Sequence, residues 1–180
     1  MKMRIFCFLI LLSLTIGLAV STSRVAAGGA RHVEFTALSI ADCSSDPDWC
    51  SPGELRTLPN GKSFVTGWKV INVFTASDPR WNADCYFEGD PFPPGGGAFP
   101  VTGSFTCYPT DPQYAGGWWV GNVNMVFQPD KVLAVWNAKG YGTLEDLQVI
   151  VHQNNPHWYG NVPPGTTEVG VITELPGYQP

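Results

Sequence analysis

The sequence predicts an all-β protein: a single eight-stranded, mostly antiparallel, calycin-like barrel, with a β-sandwich as the alternative. Three observations carry that expectation. The 20 glycines and 16 prolines of the 180 residues punctuate the chain about every ten positions. The intervals between them are filled by β-branched and aromatic residues, the composition of strands bounded by turns. Within those intervals apolar and polar residues alternate, and almost nothing after residue 27 keeps a helical period.

The elements follow in order. Residues 32–40 alternate polar and apolar. Residues 63–75 read as one long strand, with Phe64, Trp68, Val70 and Phe74 on one parity and Val65, Ile71 and Val73 on the other. Strands at 83–88 and 101–108 flank a loop over residues 89–97. Its prolines lack donors and its glycines are too flexible for a ladder. Residues 117–127 and 131–139 are joined by Gln128-Pro129-Asp130 and form a hairpin. Strands at 144–152 and 168–175 complete the eight. Short connections make neighbours antiparallel.

Period two assigns faces within residues 117–127. Trp119, Gly121, Val123, Met125 and Phe127 share an apolar face that belongs in the core. Trp118, Val120, Asn122, Asn124 and Val126 share a mixed face that is at least partly wet. Gly121 leaves room for a large ring from a neighbouring strand.

The first 27 residues stand apart. Lys2 and Arg4 precede an apolar run from Ile5 to Val20, and the small residues Val25-Ala26-Ala27-Gly28 follow. That order is a secretory signal peptide with cleavage after Ala27, leaving one barrel domain over 28–180. The apolar run of about 16 residues is short for a transmembrane anchor, which needs about 20. Its only cysteine, Cys7, lies too early for a lipoprotein signal. The expected location is secreted: extracellular, or periplasmic or cell-surface in a bacterium, with no stable membrane anchor after cleavage.

Charge narrows the partners. The leader carries Lys2, Arg4 and Arg24 and no acid, so seven of the ten basic residues remain against all 15 acids, a net charge of about −8. The remaining basic residues are scattered, which argues against nucleic acid and anionic membranes. Four cysteines remain after the leader, an even count that reads as disulfides in an exported chain. Of three connectivities the favoured one is Cys43–Cys50, closing a tight loop, and Cys85–Cys107, joining two β-rich runs. A zinc site would want closer C-x-x-C knuckles. No metal or cofactor is expected.

Three stretches carry a resemblance: Phe74-Thr75-Ala76-Ser77-Asp78-Pro79-Arg80 after a long strand, Gly117-Trp118-Trp119-Val120-Gly121 opening another, and Gly140-Tyr141-Gly142-Thr143-Leu144-Glu145-Asp146-Leu147 before a third. Their order resembles a group of uncharacterised exported proteins, mostly bacterial, with a β-barrel of the allene oxide cyclase and dirigent type. The resemblance spans roughly residues 63–176 and implies an eight-stranded calycin-like barrel. No catalytic constellation matches, so it transfers no activity.

Each candidate chemistry stands beside a plainer role. Asp78-Pro79-Arg80 offers Arg80 to an anion, or is a turn with Asp capping its own backbone. Asp42, Asp46 and Asp48 offer oxygens for calcium, or make a solvated loop. His152 and His157, with Glu145, Asp146 or Asp84, could pair as acid and base, but no nucleophile motif accompanies them. Gly140-Tyr141-Gly142 precedes a β-rich run, so it is a turn that crowds an aromatic on the barrel, not a phosphate cradle. Aromatics on or beside strands are the remaining lead: Trp68, Tyr86, Trp119, Trp136 and Tyr141 are the candidate ligand-binding residues. The leading expectation is therefore a secreted, disulfide-stapled barrel that binds a small apolar or aromatic molecule. The alternatives are a cyclase- or dirigent-like enzyme that shapes a reactive substrate, and a structural or adhesive module. The sequence leans away from an enzyme.

Overall fold

The computed structural model describes residues 29–90, 98–156 and 168–179. Residues 1–28, 91–97, 157–167, which include His157, and 180 lie outside the described residues. Among the described residues ten strands form: β1 (Arg31–Ala41), β2 (Glu54–Thr57), β3 (Ser63–Thr66), β4 (Trp68–Ala76), β5 (Ala83–Gly89), β6 (Phe99–Pro109), β7 (Trp118–Phe127), β8 (Lys131–Tyr141), β9 (Leu147–Pro156) and β10 (Glu168–Glu174). Eight of them close an antiparallel barrel in the order β1-β10-β9-β8-β7-β6-β5-β4, with β4 returning to β1. Sequence neighbours pair from β4 through to β10, and the β1–β10 and β1–β4 ladders shut the ring. Closure leaves the barrel without a free edge.

The expected strand over 63–75 is two. Gly67 sits at φ 68°, a conformation that L side chains rarely adopt, and the chain turns there. Its N–H donates to the Asp90 carboxylate (3.0 Å). On the N-terminal side, β3 leaves the barrel and pairs with β2 in a separate hairpin. The β2 strand went unpredicted because it is exposed at all four positions and so has no buried face to create an alternation. The strand expected from 144 starts at Leu147, since Gly142–Leu144 is a 3-10 turn and Asp146 adopts φ 63°.

Period two places the inner wall as the sequence predicts for β7: Trp119, Val123, Met125 and Phe127 are buried, while Trp118, Val120, Asn122 and Asn124 face out. Gly121 is used differently. A side chain there would overlap the Asn137 carbonyl and Ala138, so this glycine lets β7 and β8 approach closely. Glycines that accommodate a ring are Gly170 on β10, directly under Phe35, and Gly89 and Gly103, which make room for Phe87. Both disulfides pair as expected. Cys43–Cys50 closes the loop after β1, and Cys85–Cys107 joins facing positions of β5 and β6 inside the barrel.

One end of the barrel is capped by three 3-10 turns, Pro79–Trp81, Pro112–Tyr114 and Gly142–Leu144, with Trp81 and Leu144 fully buried. The plug is organised by Arg80. Its guanidinium donates to both oxygens of Asp78 (2.9 and 2.6 Å) and to Glu174 (2.7 Å). The Asp78 carboxylate also caps the Arg80 N–H, and Trp119 Nε1 donates to the Arg80 carbonyl (2.9 Å). From this cap to the barrel centre the interior is filled by rings: Phe74 touches Trp81 and Trp136 edge-on at 5.3 Å, and Trp136 in turn meets Phe105 at 5.0 Å. Such edge-to-face contacts suit the ring quadrupoles.

Candidate ligand site at the far end of the barrel

Polar side chains also reach the barrel interior away from the Arg80 plug. Four adjacent strands, β9, β10, β1 and β4, each bring a polar side chain to inner positions: Gln153, Glu168, Ser39 and Asn72. Parity explains why they point inward. Glu168 alternates with Gly170 and the buried Ile172; Ser39 with the buried Phe35 and Ala37; Asn72 with Val70 and Phe74. Gln153 follows Val149 and Val151 on the same side of β9. The register Val169↔His152 puts Glu168 beside Gln153 one step further along.

Two hydrogen bonds tie this wall together. Ser39 Oγ donates to Glu168 Oε1 at 2.5 Å, and both residues are buried, Glu168 at 0% exposure. Trp136 Nε1 donates to Gln153 Oε1 at 3.0 Å. A carboxyl group taken out of water is costly unless it is hydrogen-bonded, so the Ser39 hydroxyl is a condition for burying Glu168. The rest of the wall is aromatic. Trp68 meets Phe87 and Phe127 edge-on at 5.3 and 6.1 Å, and Phe99 stacks on Phe127 at 4.9 Å. The result is a two-sided interior: hydrogen-bonding groups on one arc and rings on the other.

The five aromatic candidates from the sequence are not brought together. Trp68 lines the far end and is partly exposed, and Trp136 contributes its N–H and one ring. Trp119 is fully buried toward the capped end, beside Trp81. Tyr86 lies on the outside of β5, edge-on to Trp49 and Tyr108. Its hydroxyl is held above the usual tyrosine range by partial burial and by the nearby Asp46 and Asp84 carboxylates. Tyr141 is outside too, stacked on Trp118 with the Lys139 ammonium over it. Alternation identifies strand rings, but only the closed sheet decides at which end of the barrel, and on which side, each one falls.

The other candidates resolve into plainer roles. Arg80 is buried in the plug and ion-paired with both Asp78 and Glu174, so it is a turn-and-plug residue and not an anion site. Asp42 caps the Ser44 N–H, which with the Ser44 side chain holds its carboxyl below the usual range; Asp46 accepts from the Trp49 N–H. Among the described residues no three acidic, histidine or cysteine side chains gather in metal-binding reach. His152 is exposed on the outside of β9, six residues and about 20 Å along the strand from Asp146. Asp84 lies across the barrel on β5, so these groups do not form a pair.

Sequence reasoning missed Ser39, Asn72, Gln153 and Glu168. One signal was present: Glu168 shares parity with Gly170 and Ile172, which makes it a charged residue on an apolar face. Comparison with protein-family models, with curated proteins and with solved structures finds no match for this chain. What defines the molecule is its architecture, a closed eight-stranded antiparallel barrel stapled by two disulfides. The two disulfides fit an oxidising compartment, and among the described residues no helix is long and apolar enough to cross a membrane.

Proposed function

We propose that this is a secreted barrel that binds a small apolar or aromatic molecule bearing a hydrogen-bonding group, at the far end of the barrel. The observation that supports this reading is the split inner wall, with Gln153, Glu168, Ser39 and Asn72 on four adjacent strands facing Trp68, Phe127 and Phe99. Fold stability alone favours an apolar side chain at a position such as Glu168, because replacing buried polar groups by well-packed apolar ones is often neutral or stabilising. A predominantly apolar site with a few convergent polar groups is the usual composition of a small-molecule pocket. The rings supply contact area, and Glu168 and Gln153 fix the orientation of the polar end.

The test is a tryptophan-fluorescence titration with a panel of aromatic acids, aromatic alcohols and fatty acids. A saturable response is expected for at least one class. Glu168→Gln should weaken binding of that ligand by about tenfold, the worth of one hydrogen bond. A flat response across the panel would sink the proposal. A buried carboxyl beside a bound substrate also favours a second reading, a barrel enzyme in which Glu168 moves a proton. In that case Glu168→Gln abolishes turnover of the bound molecule while leaving measurable binding.

A further inference from the structure

On the outside of the barrel, β7 and β8 carry a ladder of facing pairs at two-residue steps: Trp118–Tyr141, Val120–Lys139, Asn122–Asn137 and Asn124–Val135. Asparagine is among the residues least suited to strand interiors. Three of them stand here in adjacent positions at mid-strand, exposed. Together with Lys139 and Gln148 they line an open groove of about 560 Å³. Its floor is made by Gly121 and Ala138, where the absence of a side chain at Gly121 lets the strands close up.

The groove's chemistry is specific. Each carboxamide offers a donor pair and an acceptor together, and no carboxylate lines it. Lys139 is the single charge, and its ammonium lies over the Tyr141 ring. Next to the Val120–Lys139 step stand the rings of Trp118 and Tyr141, stacked at 5.8 Å with planes 12° apart and Trp118 38% exposed. From Trp118 to Asn124 the ladder runs six residues, about 20 Å. Paired donors and acceptors match neighbouring hydroxyls. The lack of clustered charge disfavours ionic ligands, and the rings at one end offer apolar surface to the C–H face of a sugar. We propose that this outer groove is a second binding site, for a neutral carbohydrate chain, separate from the site inside the barrel.

The test uses the full chain, exported and oxidised, in pull-down on cellulose, chitin, xylan and laminarin. Retention on at least one is expected, with a loss of tenfold or more in Asn122→Ala/Asn137→Ala and in Trp118→Ala at unchanged circular dichroism and melting temperature. Absence of retention on all four overturns the proposal, as does retention that both variants keep. Should the variants fail to fold, amide NMR of the unmodified protein with a soluble oligosaccharide of the retained polymer decides. Shifts at the Asn122, Asn124 and Asn137 side chains support the site; shifts confined elsewhere refute it.

Discussion

Arg80 and Asp78 show how one short sequence, Asp78-Pro79-Arg80, can close a barrel. Burial pushes the Asp78 carboxyl up, but hydrogen bonds from the Arg80 side chain and backbone, with its charge, outweigh that and leave it below the ordinary value of 3.8. Arg80 is held above its own ordinary value, chiefly by Asp78, and so stays charged throughout the accessible range. Asp78 binds a proton more readily unfolded than folded, so its contribution is complete above the unfolded pKa and is lost as pH falls through the folded one. Stability should therefore be level from about pH 5 to 8 and drop below about pH 4. Asp78→Ala should cost about 3 kcal/mol at pH 7, the low end for breaking a buried pair because Glu174 still holds Arg80. Urea unfolding of both proteins at pH 7 and pH 3 checks this: the variant's deficit should shrink in acid, and an equal deficit at both values contradicts the assignment.

Among the elements, two glycines should separate backbone strain from crowding. Gly67 is left-handed, and a side chain built on it meets nothing within 4 Å. Gly67→Ala should therefore cost only the conformational penalty, about 1–2 kcal/mol. In β10, Gly170 has no such strain but lies beneath the Phe35 ring. Gly170→Ala forces that ring to move, an overpacking cost of about 1–3 kcal/mol. Shrinking the ring tells the two apart: Phe35→Leu should recover part of the loss in Gly170→Ala and none in Gly67→Ala, as read by chemical denaturation of the single and double variants.

For the molecule as a whole, the two staples differ in exposure. Cys85 and Cys107 are fully buried inside the barrel, while Cys43 and Cys50 are only partly covered. Their separations of 22 and 7 residues correspond to about 3 and 2 kcal/mol of loop-closure entropy removed from the unfolded chain. Under native conditions a thiol reductant should open Cys43–Cys50 first and reach Cys85–Cys107 only as the barrel unfolds. Timed alkylation followed by peptide mass spectrometry reads the order; simultaneous reduction would show that the barrel does not shield its internal bridge.

The eight barrel strands and their two faces were legible in the sequence because each rests on local information: a period of two and turn residues at intervals. An even cysteine count pointed to disulfides but left three connectivities, between which the folded chain chose. Trp119, Val123 and Phe127 could be assigned to the core from their own strand. The site could not be found that way. Ser39 and Glu168 are 129 residues apart and meet only because β10 closes the barrel against β1. The Trp118–Tyr141 stack likewise depends on the β7–β8 register. Local alternation determined which side chains point in and which out; only the closed sheet decided which of them meet, because strand order and register are long-range properties set by the packing of the whole ring.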